Sequence, residues 1–201
     1  TTLLKSFQPS FTQAETKAVE TEIVQDERSA QRFVDQLPKG GALGLQCLLF
    51  PGSGVRADVQ GIALSSGEKT AFIPLDVRTY MRPIIVLLHD STRTKVVHDL
   101  KSTLLLFHRI GVTLAGPYLD TMVADYLLNP NRRDHQLDTI AFEGLGYRLG
   151  TGHTTTAAPQ SLFDEDTGSR EKAAEDASVL VKLAQPMTDR LSEQGSLTLF
   201  T

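Results

Sequence analysis

Leu43-Gly44-Leu45-Gln46-Cys47-Leu48-Leu49-Phe50 is a near-continuous apolar run, and it fixes how the rest of the chain must be read. A strand with water on one side alternates polar and apolar residues, whereas a strand covered on both faces does not. The run therefore predicts a central strand. Two more strands follow, Val59 to Leu64 and Thr70 to Pro74, with turn material at Ser65-Ser66-Gly67-Glu68 between them. A hairpin or meander accounts for this part of the chain. Pro51-Gly52-Ser53-Gly54 lacks the spacing and the lysine of a phosphate-binding loop and reads as a turn.

Upstream, Ala18 to Val24 alternates in the manner of a half-exposed strand. Asp26 then caps a helix whose apolar side is Ala30, Phe33, Val34 and Leu37 and which Gly40 and Gly41 end. Glu20, Glu22, Asp26 and Glu27 keep this opening strand and helix soluble. Residues 1–16 are polar and broken by Pro9, and read as a flexible lead or linker ahead of a single domain over 17–201.

Downstream, strands and helices alternate. A short helix is expected over Arg78 to His89, with Pro83 near its start. Thr94 to His98 is a strand that feeds a helix from Asp99 or Leu100 to about Arg109. Thr113 to Pro117 returns to the sheet, and Asp120 begins a helix with Met122, Val123, Tyr126 and Leu127 as its apolar face, ended by Asn129-Pro130. Leu137, Ile140, Ala141 and Leu145 mark another helix before Gly146. Residues 150–160 carry the least ordered pattern. A long amphipathic helix then covers Arg170 to Leu191, using Ala174, Ala177, Val181 and Ala184, with Pro186 expected to disturb or divide it. The sum is an α/β fold, a mixed β-sheet flanked by helices.

With 201 residues, 40% of them hydrophobic and 22% charged, the chain can bury a full core without disulfides or a structural metal. Its single cysteine, Cys47, cannot form an internal disulfide, so a reducing, cytoplasmic setting is expected, and its place in the central apolar run reads as core filler. No apolar stretch is long enough to span a membrane, and the opening residues do not read as a secretory leader. The net charge of -4 argues against a generally basic nucleic-acid surface but leaves room for a local patch.

The histidines, His89, His98, His108, His135 and His153, have no metal-ligand spacing. His98 beside Asp99 invites a general-base reading, yet neighbours on a strand point apart, and a structural role is favoured. Asn131-Arg132-Arg133 reads as a solvated charge cluster in preference to a phosphate contact. Ser102 and Ser178 lack a base and an orienting partner. Asp99 and Asp120 read as helix caps.

Several segments recur in a specific order: Val97-His98-Asp99-Leu100-Lys101; Gly111-Val112; Leu119 through Pro130, read as LDTMVADYLLNP; His135 through Ala141, read as HQLDTIA; Leu145-Gly146; and Ala173-Ala174-Glu175-Asp176-Ala177. In this order the chain resembles the 3′–5′ exonuclease-like domain of bacterial family A DNA polymerases. The resemblance implies a ribonuclease H-like sheet and a parent polypeptide whose polymerase region follows residue 201. Active members of that family use an Asp-x-Glu pair on the first central strand and one Asp in each of two later motifs to hold two divalent ions. The matching positions here are Gln46 and Leu48 for the pair, Thr103 for the second motif and Asp176 for the third. Asp99 falls where the family has asparagine, and Lys172 replaces the tyrosine that would orient water. Lys172 and Asp176 are spaced to pair on one helix face.

The resemblance thus implies an inactive domain without a metal cofactor, supporting an adjacent polymerase domain in DNA replication and repair. It would meet DNA through that neighbour, in the cytoplasm at the nucleoid. Two other readings stay open. One is an atypical Mg- or Mn-dependent 3′–5′ exonuclease using Asp99, Asp176 and a displaced carboxylate. The other is an independent nucleic-acid-binding module.

Overall fold

The structure, a computed structural model, describes residues 19–50, 58–75, 82–150 and 162–196. The expected lead over residues 1–16, the turn at Pro51 to Gly54 and most of the 150–160 stretch lie outside them. The central run forms β2 (Ala42–Leu49) in the interior of a sheet. Beside it lies β3 (Val59–Ser65), antiparallel to β2, and then β4 (Thr70–Pro74), antiparallel to β3, which makes the predicted meander. The edge strand β1 (Thr21–Ile23) joins β4 in parallel. On the other side of β2, β5 (Thr94–Val97) and β6 (Tyr118–Asp120) add in parallel, so the six strands run β1-β4-β3-β2-β5-β6.

Helices cover both faces. α1 (Glu27–Gln36), α2 (Arg82–His89) and α3 (Leu100–Arg109) enclose one core built on Leu43, Leu45, Ile62, Leu64 and Ile73. α4 (Thr121–Leu128), α5 (Leu137–Leu145) and α6 (Leu162–Glu193) enclose the other, around Val96, Leu119, Leu128, Ile140 and Leu180. Residues alternate across a strand, so the odd positions of β2 meet α1–α3 and the even ones meet α6. Burial on both faces explains the lack of alternation in the sequence. Cys47 packs against the first core, and burial pushes its thiol up to about 12, in keeping with a filler role.

Four sequence expectations are corrected. Residues 113–117 do not form the returning strand, because Pro117 has no N–H to give a ladder. Its carbonyl instead accepts from Lys95 N, and the strand starts at Tyr118. α4 does not bury the predicted stripe: Val123 and Tyr126 are 42% and 56% exposed, while Thr121, Ala124, Asp125 and Leu128 face inward. The two polar residues tolerate burial because each is hydrogen-bonded there. Pro186 does not divide α6, which runs unbroken for 32 residues and is longer than the expected 170–191. Pro186 itself is exposed, and Leu183, Met187 and Leu191 anchor the helix on either side of it in the second core. Finally, Arg132 is not part of a solvated cluster but sits in a half-buried ion-pair network, described below.

The opening helix also uses its acids more specifically than solubility requires. The Asp26 carboxylate accepts from Ser29 N, and Ser29 Oγ accepts from Asp26 N, a reciprocal cap. Glu22 pairs with Arg32 at 2.6 Å.

Candidate functional site

The even face of β2 presents Gly44, Gln46 and Leu48 to α6. The fit is tight, since a Cβ on Gly44 would lie 2.0 Å from the Ala177 carbonyl oxygen. Leu48 packs against Ala63, Phe72, Ala173 and Ala177, a small apolar seam between strand and helix. Gln46, half-buried, stands between Gly44 and Leu48 and opposite Ala63 of β3. Above the seam, the Arg170 guanidinium lies 5.5 Å from the Phe72 ring centroid, a cation–π contact.

Lys172 and Asp176 neighbour Ala173 and Ala177 in sequence and run along the flank of this seam. The Lys172 ammonium donates to both Asp176 oxygens, at 3.1 and 3.3 Å, as the four-residue spacing predicts. Asp176 is 8% exposed. Burial pushes its carboxyl up to about 6, against the pull of the Lys172 ammonium, and the nearby acids Asp138 and Glu175 add to the upward push.

Asp99 and Thr103 belong to a different junction, where β5 ends and α3 begins. Asp99 caps α3 as expected. Its oxygens accept from Ser102 N at 3.1 Å and from Ser102 Oγ at 2.5 Å, and its backbone is left-handed with φ 64°. Asparagine is the residue that tolerates this backbone best after glycine, and aspartate follows it. The buried Thr103 hydroxyl donates back to Asp99 O, at 2.9 Å, and so continues the helix start. Asp99 is not among the charged groups that act most strongly on Asp176, namely Lys172, Asp138 and Glu175. Among the described residues no three His, Cys, Asp or Glu side chains gather to hold a metal ion.

The sequence reading underestimated Asp120. It caps α4 through Met122 N and Val123 N, and also accepts from Asp99 N and Leu100 N, so one carboxylate serves the starts of two helices. Beside it, His98 Nδ1 meets Thr121 Oγ1 at 2.9 Å, and Thr121 Oγ1 donates to Val97 O. With that hydroxyl proton so placed, Nδ1 is the donor to Thr121. Burial holds the imidazole below its usual pKa and therefore uncharged, despite Asp120 and Asp99 nearby. His98 is structural, as expected.

Sequence reasoning missed the network behind α4. Asp125, 3% exposed, accepts from Asn129 Nδ2 at 2.7 Å and from Arg132 Nη1, and meets His135 Nδ1 at 2.6 Å; Arg132 also pairs with Glu143. One signal was available, an acid four residues before an asparagine within an otherwise apolar helix. A second pin joins the α5–α6 connection to α6: Glu175 accepts from Tyr147 OH at 2.7 Å and Gly150 N at 3.0 Å.

These geometries can be set beside known proteins. Residues 53–148 match the family described as the DNA polymerase I, ribonuclease H-like domain. The match begins after β2 and ends before α6, outside the two elements that carry Gln46, Leu48, Lys172 and Asp176. DNA polymerase I of Treponema pallidum is 30% identical over 143 residues, which cover 70% of this chain and 14% of that protein. The chain therefore spans a small part of that relative. The POL domain of Pol1 from M. smegmatis, solved with DNA primer-template and dNTP, shares the fold. Its TM-score is 0.71 at 19% identity, over 90% of this chain and 29% of that one. Escherichia coli RNase D, an exoribonuclease involved in structured RNA processing, has a TM-score of 0.72 at 18% identity, over 89% of this chain and 47% of that one. Among the described residues no helix is long and apolar enough to cross a membrane. The ribonuclease H-like sheet, the ordered motifs and these relatives agree: the chain is similar to the 3′–5′ exonuclease-like, ribonuclease H-like domain of DNA polymerase I and has its fold.

Proposed function

We propose that this domain is a retired exonuclease, retained as structural support for an adjacent polymerase domain that carries the parent protein's work on DNA. The observation that carries the proposal is the ion pair at the one retained acid: the Lys172 ammonium holds both oxygens of Asp176. A fixed cation there neutralises the carboxylate and repels a second cation.

The other matched positions support the same reading. Leu48 fills an apolar seam, Gln46 offers at most a neutral amide, and the Thr103 hydroxyl serves the start of α3. Two divalent ions need several carboxylates converging within coordination distance, and this donor set is a poor match for them. The domain's partner is accordingly the polymerase part of the parent chain, and its contact with DNA runs through that partner. Residues 17–201 would then be one exonuclease-like domain of a longer polypeptide, with residues 1–16 as the linker before it.

The test is calorimetric titration with Mn²⁺ and Mg²⁺, paired with single-turnover digestion of 3′-labelled single-stranded DNA. Neither saturable binding nor cleavage is expected. Metal-dependent loss of 3′ nucleotides that Asp176→Ala abolishes would establish the atypical metal-dependent exonuclease instead, with Asp99 and Asp176 as its ligands to test.

A further inference from the structure

On the far side of the sheet from α6, the turn between α2 and β5 buries two cations against one carboxylate. Arg93 is 5% exposed and Lys95 is fully buried. The Lys95 ammonium donates to the Asp90 main-chain oxygen. Arg93 Nη2 donates to Pro38 O at 2.7 Å, which ties the turn to the connection after α1. Its Nε and Nη1 have no hydrogen-bond acceptor among the described residues. The nearest carboxylate oxygen, Asp90 Oδ2, is 3.8 Å from Nε, a charge contact too long for a hydrogen bond. Asp90 spends its other oxygen on Thr92 N and Thr92 Oγ1.

Burying an N–H of a charged group without an acceptor is costly, and folded proteins rarely leave one so. Here Arg93, whose Nε and Nη1 lack an acceptor, is among the residues lining an open depression of about 480 Å³, with Val34, Val86, Leu87, His89 and Asp90. Its size falls within the range of small-ligand sites, and its lining pairs an apolar wall of Val34, Val86 and Leu87 with the polar groups of His89, Asp90 and Arg93. Val86 is 64% exposed, so that wall is open to solvent.

We propose that this depression binds a carboxylate carried on an aliphatic body. Two buried cations and one carboxylate leave a surplus of a single positive charge, which suits a monoanion. The aliphatic part rests on Val34, Val86 and Leu87. The carboxylate reaches the guanidinium as the Asp90 side chain, anchored only within its own turn, swings aside. This site is independent of the α6 seam and of the exonuclease reading.

The probes are octanoate, a free aliphatic acid, and the capped tripeptide acetyl-Leu-Glu-Leu-amide, a polypeptide carboxylate, followed by amide chemical shifts of α1 and α2. Octanamide and the Gln tripeptide are the uncharged controls. At least one acid should bind about tenfold more tightly than its control, as loss of a charge-assisted hydrogen bond implies. The tighter of the two acids names the source.

Asp90→Asn, which removes the competing carboxylate, should tighten binding. Val86→Glu, at an exposed position that leaves the fold intact, should weaken it by about tenfold. Arg93→Gln should abolish the preference for the acid, and if that variant does not fold, Val86→Glu and Asp90→Asn carry the test. Equal affinity for acids and controls, no binding at millimolar concentration, or indifference to both rim variants overturns the proposal.

Discussion

Among the described residues, buried carboxylates occur in two regions, and their surroundings differ. At the junction of β5, α3, α4 and α5, Asp120 and Asp125 are each surrounded by donors: four backbone amides for the first, and asparagine, arginine and histidine for the second. Beside the seam of β2 and α6, Asp176 has one ammonium as donor, and the charges of Asp138 and Glu175 oppose its ionisation. The first group holds helices and a loop together whatever the protein does. The second has no comparable set of donors, and Asp176 rests on Lys172. On the function proposed above, acids that maintain the fold are kept, and those whose sole use would be ion binding are replaced by amide, leucine and hydroxyl at Gln46, Leu48 and Thr103. The difference separates stability from activity within one domain.

The largest effect is expected at the junction. Asp125→Ala would leave Arg132, His135 and Asn129 facing a buried space without their acceptor. Breaking a buried pair in this way should cost about 3–5 kcal/mol in urea denaturation. A loss below 1 kcal/mol would mean that the network does not hold α4 to α5, and the contrast with Asp176 would collapse. Asp120→Ala removes a cap shared by two helices and should cost about 2 kcal/mol. Asp120→Asn, which keeps an acceptor, should recover much of that.

How far the sequence could be read follows the same division. Apolar runs and turns placed β2, β3, β4 and most helices, because burial on one or both faces leaves a periodic trace. The Lys172–Asp176 pair was legible because helical spacing alone brings the two together. What the sequence could not display was polar burial: α4 turns Thr121 and Asp125 inward and Val123 and Tyr126 outward, the reverse of its hydrophobic pattern. Partners that make such burial tolerable lie 10 residues away, as His135 does from Asp125, or 24, as Val97 does from Thr121. Pro186 misled for a related reason, since tertiary anchoring outweighed a local penalty. The expected site positions Gln46, Leu48 and Thr103 rest on the ordered motifs of the family alone, because no periodicity or spacing marks them.

The seam offers a sharper version of the comparison. Leu48→Glu puts an acid into the seam and should cost about 2 kcal/mol, because a carboxylate would enter apolar contacts with Ala173, Ala177 and Phe72. Midpoints in EDTA and in Mn²⁺ should agree. A rise of the Leu48→Glu midpoint in Mn²⁺ would mean that the seam has the shape of a metal cradle and lacks only the acids.

The smallest effect concerns Asp176 itself, and its sign is informative. Burial holds this carboxyl at about 6, above its ordinary value near 3.8, so the folded chain binds its proton more tightly than the unfolded chain does. The stabilisation from that proton is complete below about pH 4 and is lost as pH rises through about 6. Asp176→Asn removes the titration. Relative to the natural chain it should be near neutral at pH 4 and more stable by about 1–2 kcal/mol at pH 7, reduced from the full shift because the Lys172 end of the pair is half-exposed. Paired denaturation curves at the two pH values measure this difference. An asparagine variant less stable at pH 7 than the natural chain would show that the ionised carboxylate is valued in the fold. Asp176 would then join Asp120 and Asp125 as an acid kept for structure, and the boundary between the two regions would have to be redrawn.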